Sequence, residues 1–223
     1  MKIAESVIFA MANTTAKIDF PHPKYTETLE GIILVGGKLS VENLIESYRL
    51  GIFPWPHEGY PLLWFCPDER GILDFKDLHI PTSLKKWIKK NQDQVTVTVN
   101  QSFSKVIREC RLQKRKDQRG TWITDAIEKN YIALSYAGHA LSVECWQGEE
   151  LVGGIYGVLS KKYFSCESMF FKKTNMSKYA FLKLVEHLKE QGFSWMDLQM
   201  VTDVSESFGA KYISKKEFLK RID

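Results

Sequence analysis

LSVECWQGEELVGGIYGVLSKKYFSCESM, Leu141 to Met169, decides the architecture of this chain. Leu141–Trp146 and Leu151–Leu159 are apolar runs of strand length on either side of the turn Gln147–Glu150, which reads as a β-hairpin. Tyr163 to Met169 reads as a third strand. Downstream, Ser177 to Gln191 has the spacing of an amphipathic helix closed by Gly192, and Phe193 to Gln199 is a further strand. Three antiparallel strands feeding a helix and then a strand is the order expected when a sheet wraps one helix against its face.

Upstream of this unit the pattern alternates. A strand is expected near Gly71 to Phe75, a helix over Ser83 to Lys90, a strand through Val95, Val97 and Val99, and a helix from Ser102. Asp125 and Glu128 fit a capping box for a helix whose apolar face is Ile127, Tyr131 and Leu134 and which ends at Gly138. The rhythm is α/β or α+β. Pro54, Pro56, Pro61 and Pro67 interrupt regular structure and mark a lobe boundary. Before them, Ser40 caps a short helix with Val41, Leu44, Ile45 and Tyr48 on one side, stopping at Gly51. The expected organisation is therefore a small amino-terminal lobe, 1–66, followed by a larger lobe, 67–223.

Composition narrows the class. With 223 residues, 44% hydrophobic and 26% charged, the chain has an ordinary globular make-up. Its longest apolar runs, Ile32–Val35 and Leu62–Cys66, fall far short of the roughly 18 residues of a membrane span, and Glu5 interrupts the amino-terminal apolar patch, so neither membrane insertion nor secretion is expected. Cys66, Cys110, Cys145 and Cys166 are widely spaced with no Cys-x-x-Cys pair, which reads as free thiols in a reducing compartment. The net charge of +4 is exceeded by the local +5 of Lys105 to Arg119, a concentration that suggests a phosphate-bearing partner as readily as a solvated helix face.

The polar residues offer little covalent or metal chemistry. His22, His57, His79, His139 and His187 are scattered, none in a zinc-protease or serine-hydrolase context. Gly153, Gly154 and Gly157 lie inside a strand rather than in a phosphate loop, where close packing and ligand contact are both open readings. More telling are Glu144, Glu167, Asp197 and Gln199, polar groups within otherwise apolar strands. Strand periodicity places Asp197 and Gln199 on one face, which Glu167 of an adjacent strand can share, and such a cluster is either a site or a solvated sheet face. The aromatics around them, with Met169, fit a pocket wall and a core equally well.

Tyr48-Arg49-Leu50-Gly51-Ile52-Phe53-Pro54-Trp55, Gly120-Thr121-Trp122-Ile123, Ser142-Val143-Glu144, Leu151 to Val158, Glu167-Ser168-Met169-Phe170, Ser177-Lys178 and Asp197-Leu198-Gln199 follow one another in the order and spacing of a known family. From about Gly36 to Phe218 the chain resembles the leucyl/phenylalanyl-tRNA-protein transferases. The resemblance implies an α+β fold whose larger lobe is similar to the acyl-CoA N-acyltransferase (GNAT-like) fold. It also implies a cytoplasmic enzyme without metal or organic cofactor. Such an enzyme moves Leu or Phe, with Met as a further candidate, from aminoacyl-tRNA to the amino-terminal Arg or Lys of a protein and so marks it for degradation.

The same resemblance implies roles at matching positions. Trp55 and Trp122 hold the terminal adenosine and aminoacyl end. Ile155, Phe164, Met169, Phe181 and Leu184 line the apolar pocket for the transferred side chain, and Glu144 belongs to the substrate-binding set. Glu167 matches a carboxylate near the substrate amino group, and Asp197 with Gln199 matches the catalytic pair. Chemistry, rather than the resemblance, divides the work of that pair: an amide is a feeble proton acceptor, so the Gln199 oxygen is expected to orient the amine, with Asp197 positioning that amide and favouring proton departure. Arg108, Arg111, Lys114, Arg115, Lys116 and Arg119 lie where the tRNA acceptor stem would run. The chain departs from the family pattern at Phe65, Cys66 and Glu69, at Leu198, and at Val204, and Phe181 and Leu184 exchange bulk, which bears on the choice of amino acid. An acyl-CoA-dependent acyltransferase and a non-catalytic RNA-binding module are the rival readings, the first weakened by the absence of glycine from Phe171 to Met176.

Overall fold

The computed structural model describes residues 11–12, 17–114 and 121–223. Short apolar runs separated by turn residues give the first sheet, built from β1 (Met11–Ala12), β2 (Ile32–Gly36), β3 (Phe53–Pro54) and β4 (Leu63–Phe65) in the order β1-β2-β4-β3. Between β2 and β3 runs α1 (Val41–Arg49). Its amino terminus is capped as expected, the Asn43 N–H donating to Ser40 Oγ at 3.2 Å, and Gly51 at φ +76° ends it in a conformation that side chains disfavour.

The second sheet begins at β5 (Glu69–Asp74). It continues through α2 (Thr82–Asn91), β6 (Thr96–Val99), α3 (Phe103–Leu112), α4 (Asp125–Tyr136), β7 (Ala140–Gln147), β8 (Glu150–Leu159), β9 (Phe164–Phe171), α5 (Met176–Glu190), β10 (Trp195–Gln199), α6 (Asp203–Ser207), β11 (Lys211–Ser214) and α7 (Lys215–Ile222). Its strand order is β11-β5-β10-β9-β8-β7-β6. Every neighbouring pair is antiparallel except β9 with β10, which the crossover helix α5 joins in parallel. The expected hairpin and third strand are thus the centre of the sheet. The capping box expected at Asp125 is replaced by Thr124, whose hydroxyl accepts the Ile127 N–H at 3.2 Å while Asp125 turns outward to Arg111.

One core cluster crosses from the first sheet to the second, packing Leu44, Tyr48, Phe53 and Trp64 with Tyr131, Tyr156, Tyr163 and Phe218. The other lies under α5 on the opposite side of the large sheet and includes Val143, Ile155, Phe164, Leu184 and Met196. Among the described residues no helix is long and apolar enough to cross a membrane.

The glycines of β8 serve close packing. A Cβ added to Gly153 would stand 2.5 Å from Met176 Cβ and 2.8 Å from the Met176 carbonyl carbon, so the first turn of α5 rests directly on the strand. Gly153→Ala is expected to lift that turn and to destabilise the protein by about 1–3 kcal/mol, read as a lowered urea midpoint with an unchanged slope.

Candidate active site

The parallel pairing of β9 and β10 is short. Met196 pairs with Phe164 and Asp197 with Ser165, and beyond them the strands part. Each strand carries an irregularity at this point: the register with β8 shifts around Glu167, and Leu198 is the extra residue between Asp197, which pairs with Ile72, and Gln199, which pairs with Gly71. Bulges of this kind redirect side chains and end pairing. Where the strands diverge, a cleft of about 1400 Å³ opens, lined by residues that include Trp55, Trp122, Glu167, Met169, Phe181 and Gln199.

The bulge changes the period-two expectation for β10. Asp197 is fully buried and faces Arg70, likewise fully buried, whose Nε and Nη2 donate to its two oxygens at 2.8 and 2.7 Å. Ser165 Oγ donates to Oδ2 at 2.9 Å and the Gln199 backbone N–H to Oδ1 at 2.9 Å. Four donors engage the carboxylate, and Asp197 is absent from the cleft lining. The bond to residue i+2 is an Asx-turn, and it holds Gln199 at φ +62°, a left-handed conformation that a non-glycine residue adopts at a cost. Gln199 thereby turns into the cleft. Its Nε2 donates to Glu167 Oε1 at 2.8 Å and to Ser165 Oγ at 3.3 Å, which leaves the amide oxygen free of these bonds.

Glu167 is the carboxylate that reaches the cleft. The Tyr48 hydroxyl also bonds to it, and the Tyr131 hydroxyl lies 2.6 Å from the Tyr48 oxygen, so the two tyrosines continue the hydrogen-bonded chain. Burial outweighs these donors and pushes the Glu167 carboxyl up from the usual carboxylate range to about 7, with the charge of Asp197 adding to the rise. The fold therefore binds this proton more tightly than the unfolded chain. Its stabilising contribution is complete below the ordinary carboxylate range and is lost as pH rises through about 7.

Other expected site residues lie elsewhere. Ile155, Phe164 and Leu184 are buried in the core beneath α5 and do not line the cleft, so only Met169 and Phe181 of the expected apolar set do, and Phe181 is braced by Phe208 stacked at 4.8 Å. Glu144 is a correction to its expected place in the substrate-binding set: it is fully buried away from the cleft, accepting from Thr98 Oγ1, Ser142 Oγ and the backbone N–H groups of Gln101 and Ser102. It caps the start of α3 from a neighbouring strand, which a helix amino terminus favours.

The basic residues divide as well. Lys114 lines the cleft, Arg108 is 74% exposed and 4.0 Å from Glu128, and Arg111 is paired with both Asp125 and Glu128. Arg115, Lys116 and Arg119 lie outside the described residues. Among the described residues no cluster of three His, Cys, Asp or Glu could hold a metal ion.

Sequence reasoning did not single out Arg70, Ser165, Tyr48 or Tyr131 as partners of the site. Tyr48 opens a quoted motif and Arg70 follows the departure at Glu69, but their partners are 83 and 127 positions away, and only folding reveals them.

The family model described as "Leucyl/phenylalanyl-tRNA protein transferase" matches residues 72–223, and the one described as its N-terminal domain matches residues 37–68. Proteins named leucyl/phenylalanyl-tRNA–protein transferase are similar along most of their length. That of Christiangramia forsetii is 44% identical over 90% of this chain and 94% of its own. That of Shewanella baltica is 42% identical over 90% and 84%, and that of Pseudomonas fluorescens 45% identical over 89% and 86%.

Removing one partner of a buried ion pair strands the other. Arg70→Met and Asp197→Leu are each expected to cost about 3–5 kcal/mol in urea unfolding, and the double variant substantially less than their sum. Additive losses would show that the two side chains are not energetically coupled.

Proposed function

Because the chain belongs to the leucyl/phenylalanyl-tRNA protein transferase family and moves an amino acid from aminoacyl-tRNA to the amino-terminal Arg or Lys of a protein, we propose how its cleft divides that work. The aminoacyl ester is already activated, so the protein's task is alignment, proton management and stabilisation of the developing oxyanion. The observation that carries the proposal is the Gln199 amide, whose Nε2 is committed to Glu167 and Ser165 while its oxygen is left for the acceptor amine.

In this mechanism the neutral amine, held by the Gln199 oxygen, attacks the ester carbonyl. The C–N bond forms as the bond to the ribose oxygen breaks, the nitrogen gives its proton to Glu167, and that proton passes to the departing oxygen. A carboxylate near 7 is matched to an α-amine whose pKa is roughly 7.7–8.0, so neither partner needs a strong base or acid. Asp197 touches neither substrate. It is a positioning residue that fixes the turn carrying Gln199 and orders Ser165 beneath it.

Trp55 and Trp122 are proposed to hold the terminal adenosine, Met169 and Phe181 the Leu or Phe side chain, with Met as a further candidate, and Lys114 with Arg108 the donor's phosphates. Lys178, a cleft-lining cation in the first turn of α5, adds positive charge to the same cleft. A cytoplasmic location, where charged tRNA is made, accords with this role. The acyl-CoA and RNA-binding alternatives give way to it.

Two measurements test the assignment. Gln199→Ala is expected to slow single-turnover transfer by roughly 100-fold with a small change in aminoacyl-tRNA affinity, and an unchanged rate removes Gln199 from the mechanism. Ionised Glu167 and neutral amine are both lost as pH falls, so the logarithm of the rate should drop with a slope approaching two below pH ~6.5 and with a slope of about one in Glu167→Gln. Equal slopes in the two proteins would exclude Glu167 as the proton acceptor.

A further inference from the structure

Phe171 is an aromatic side chain that no step above employs. It ends β9, and beyond the bulge at Glu167 it shares a face with Met169, both lining the cleft. Glu167 and Met169 are half-buried, whereas Phe171 is 50% exposed. The strand thus leads from the reacting groups to an open aromatic ring at the cleft mouth.

That ring is held in place and set among cations. The Phe171 N–H donates to Gln113 Oε1 at 3.0 Å, joining the end of β9 to the end of α3, where Gln113 and Lys114 line the same mouth. Lys172 pairs with Glu109 at 2.8 Å and Lys173 with Glu150 at 3.3 Å, so these two charges are balanced within the protein. Lys114 is exposed and has no ion-pair partner among the described residues. An exposed ring lining the same mouth as an exposed cation offers an unpaired nucleotide both of its needs: a stacking plane for the base and a counter-charge for the phosphate.

We propose that Phe171 is the stacking platform for the base that precedes the terminal adenosine of the donor tRNA, with Lys114 beside that nucleotide's phosphate. The inference rests on the donor path proposed above, in which the acyl end lies at Glu167 and Gln199 and the strand leaves through the mouth. A ring that stacks without reading base edges makes the contact tolerant of sequence, which suits an end common to different charged tRNAs.

The test is a double cycle between protein and donor, with binding of non-hydrolysable aminoacyl-tRNA measured at equilibrium and transfer measured in parallel. Phe171→Ala should weaken tRNA binding roughly 5- to 100-fold and Phe171→Trp should restore it, while KM for a 3′-aminoacyl-adenosine donor stays unchanged. A tRNA lacking only the base before the terminal adenosine should bind the unmodified protein about as weakly as intact tRNA binds Phe171→Ala, with little further loss when both changes are combined. Multiplying losses, an equal penalty on the adenosine donor, or unaltered tRNA binding would each overturn the platform. Transfer from both donors left unchanged by Gln199→Ala, with the binding cycle intact, would instead overturn the donor path.

Discussion

The Arg70–Asp197 pair is the constraint around which this molecule is organised. Two full charges lie out of reach of water, and such a pair is tolerated only when each group is completely coordinated. Asp197 takes four donors, and Arg70 uses its remaining Nη1 on the Gly51 carbonyl at 3.0 Å while its plane lies between the rings of Phe53 and Phe218, 4.8 and 4.4 Å away. One guanidinium therefore binds together the turn after α1, strands β3, β5 and β10, and helix α7. The lobes are fastened to each other at the point where β10 must make the turn that carries Gln199.

Three acidic residues in strands of the same sheet show how surroundings assign different work to similar groups. Glu144 meets two hydroxyls and two backbone N–H groups and anchors a helix. Asp197 meets a guanidinium and anchors a turn. Glu167 has only neutral donors, lies close to another carboxylate and borders the cleft, and its proton affinity is drawn toward neutrality. Tyr48 and Tyr131 connect it to α1 and α4, and the Tyr163 hydroxyl bonds the Tyr48 carbonyl at 2.6 Å, so the amino-terminal lobe takes part in tuning the site.

Much of this was legible from local pattern. Apolar runs around Gln147–Glu150 predicted the central hairpin, Ser40 and Gly51 predicted the limits of α1, and the spacing of Ser177 to Gly192 predicted α5. The reading failed where a single inserted residue broke the strand period. Leu198 sends Asp197 inward and leaves Gln199 in the cleft, although alternation put both on one face. It could not place Glu144, Ile155, Phe164 and Leu184, which lie in the interior, because a pocket wall and a core have the same composition and differ only in what lies opposite them.

Periodicity, turn residues and motif order are properties of neighbours along the chain, and they sufficed for the elements, their succession and the family. Which carboxylate is saturated, which faces the cleft and which tyrosines feed it depend on donors brought from dozens of positions away. Those distances are closed only by the crossing of two sheets and two bulges, and the proton affinity of Glu167 exists only once they are closed.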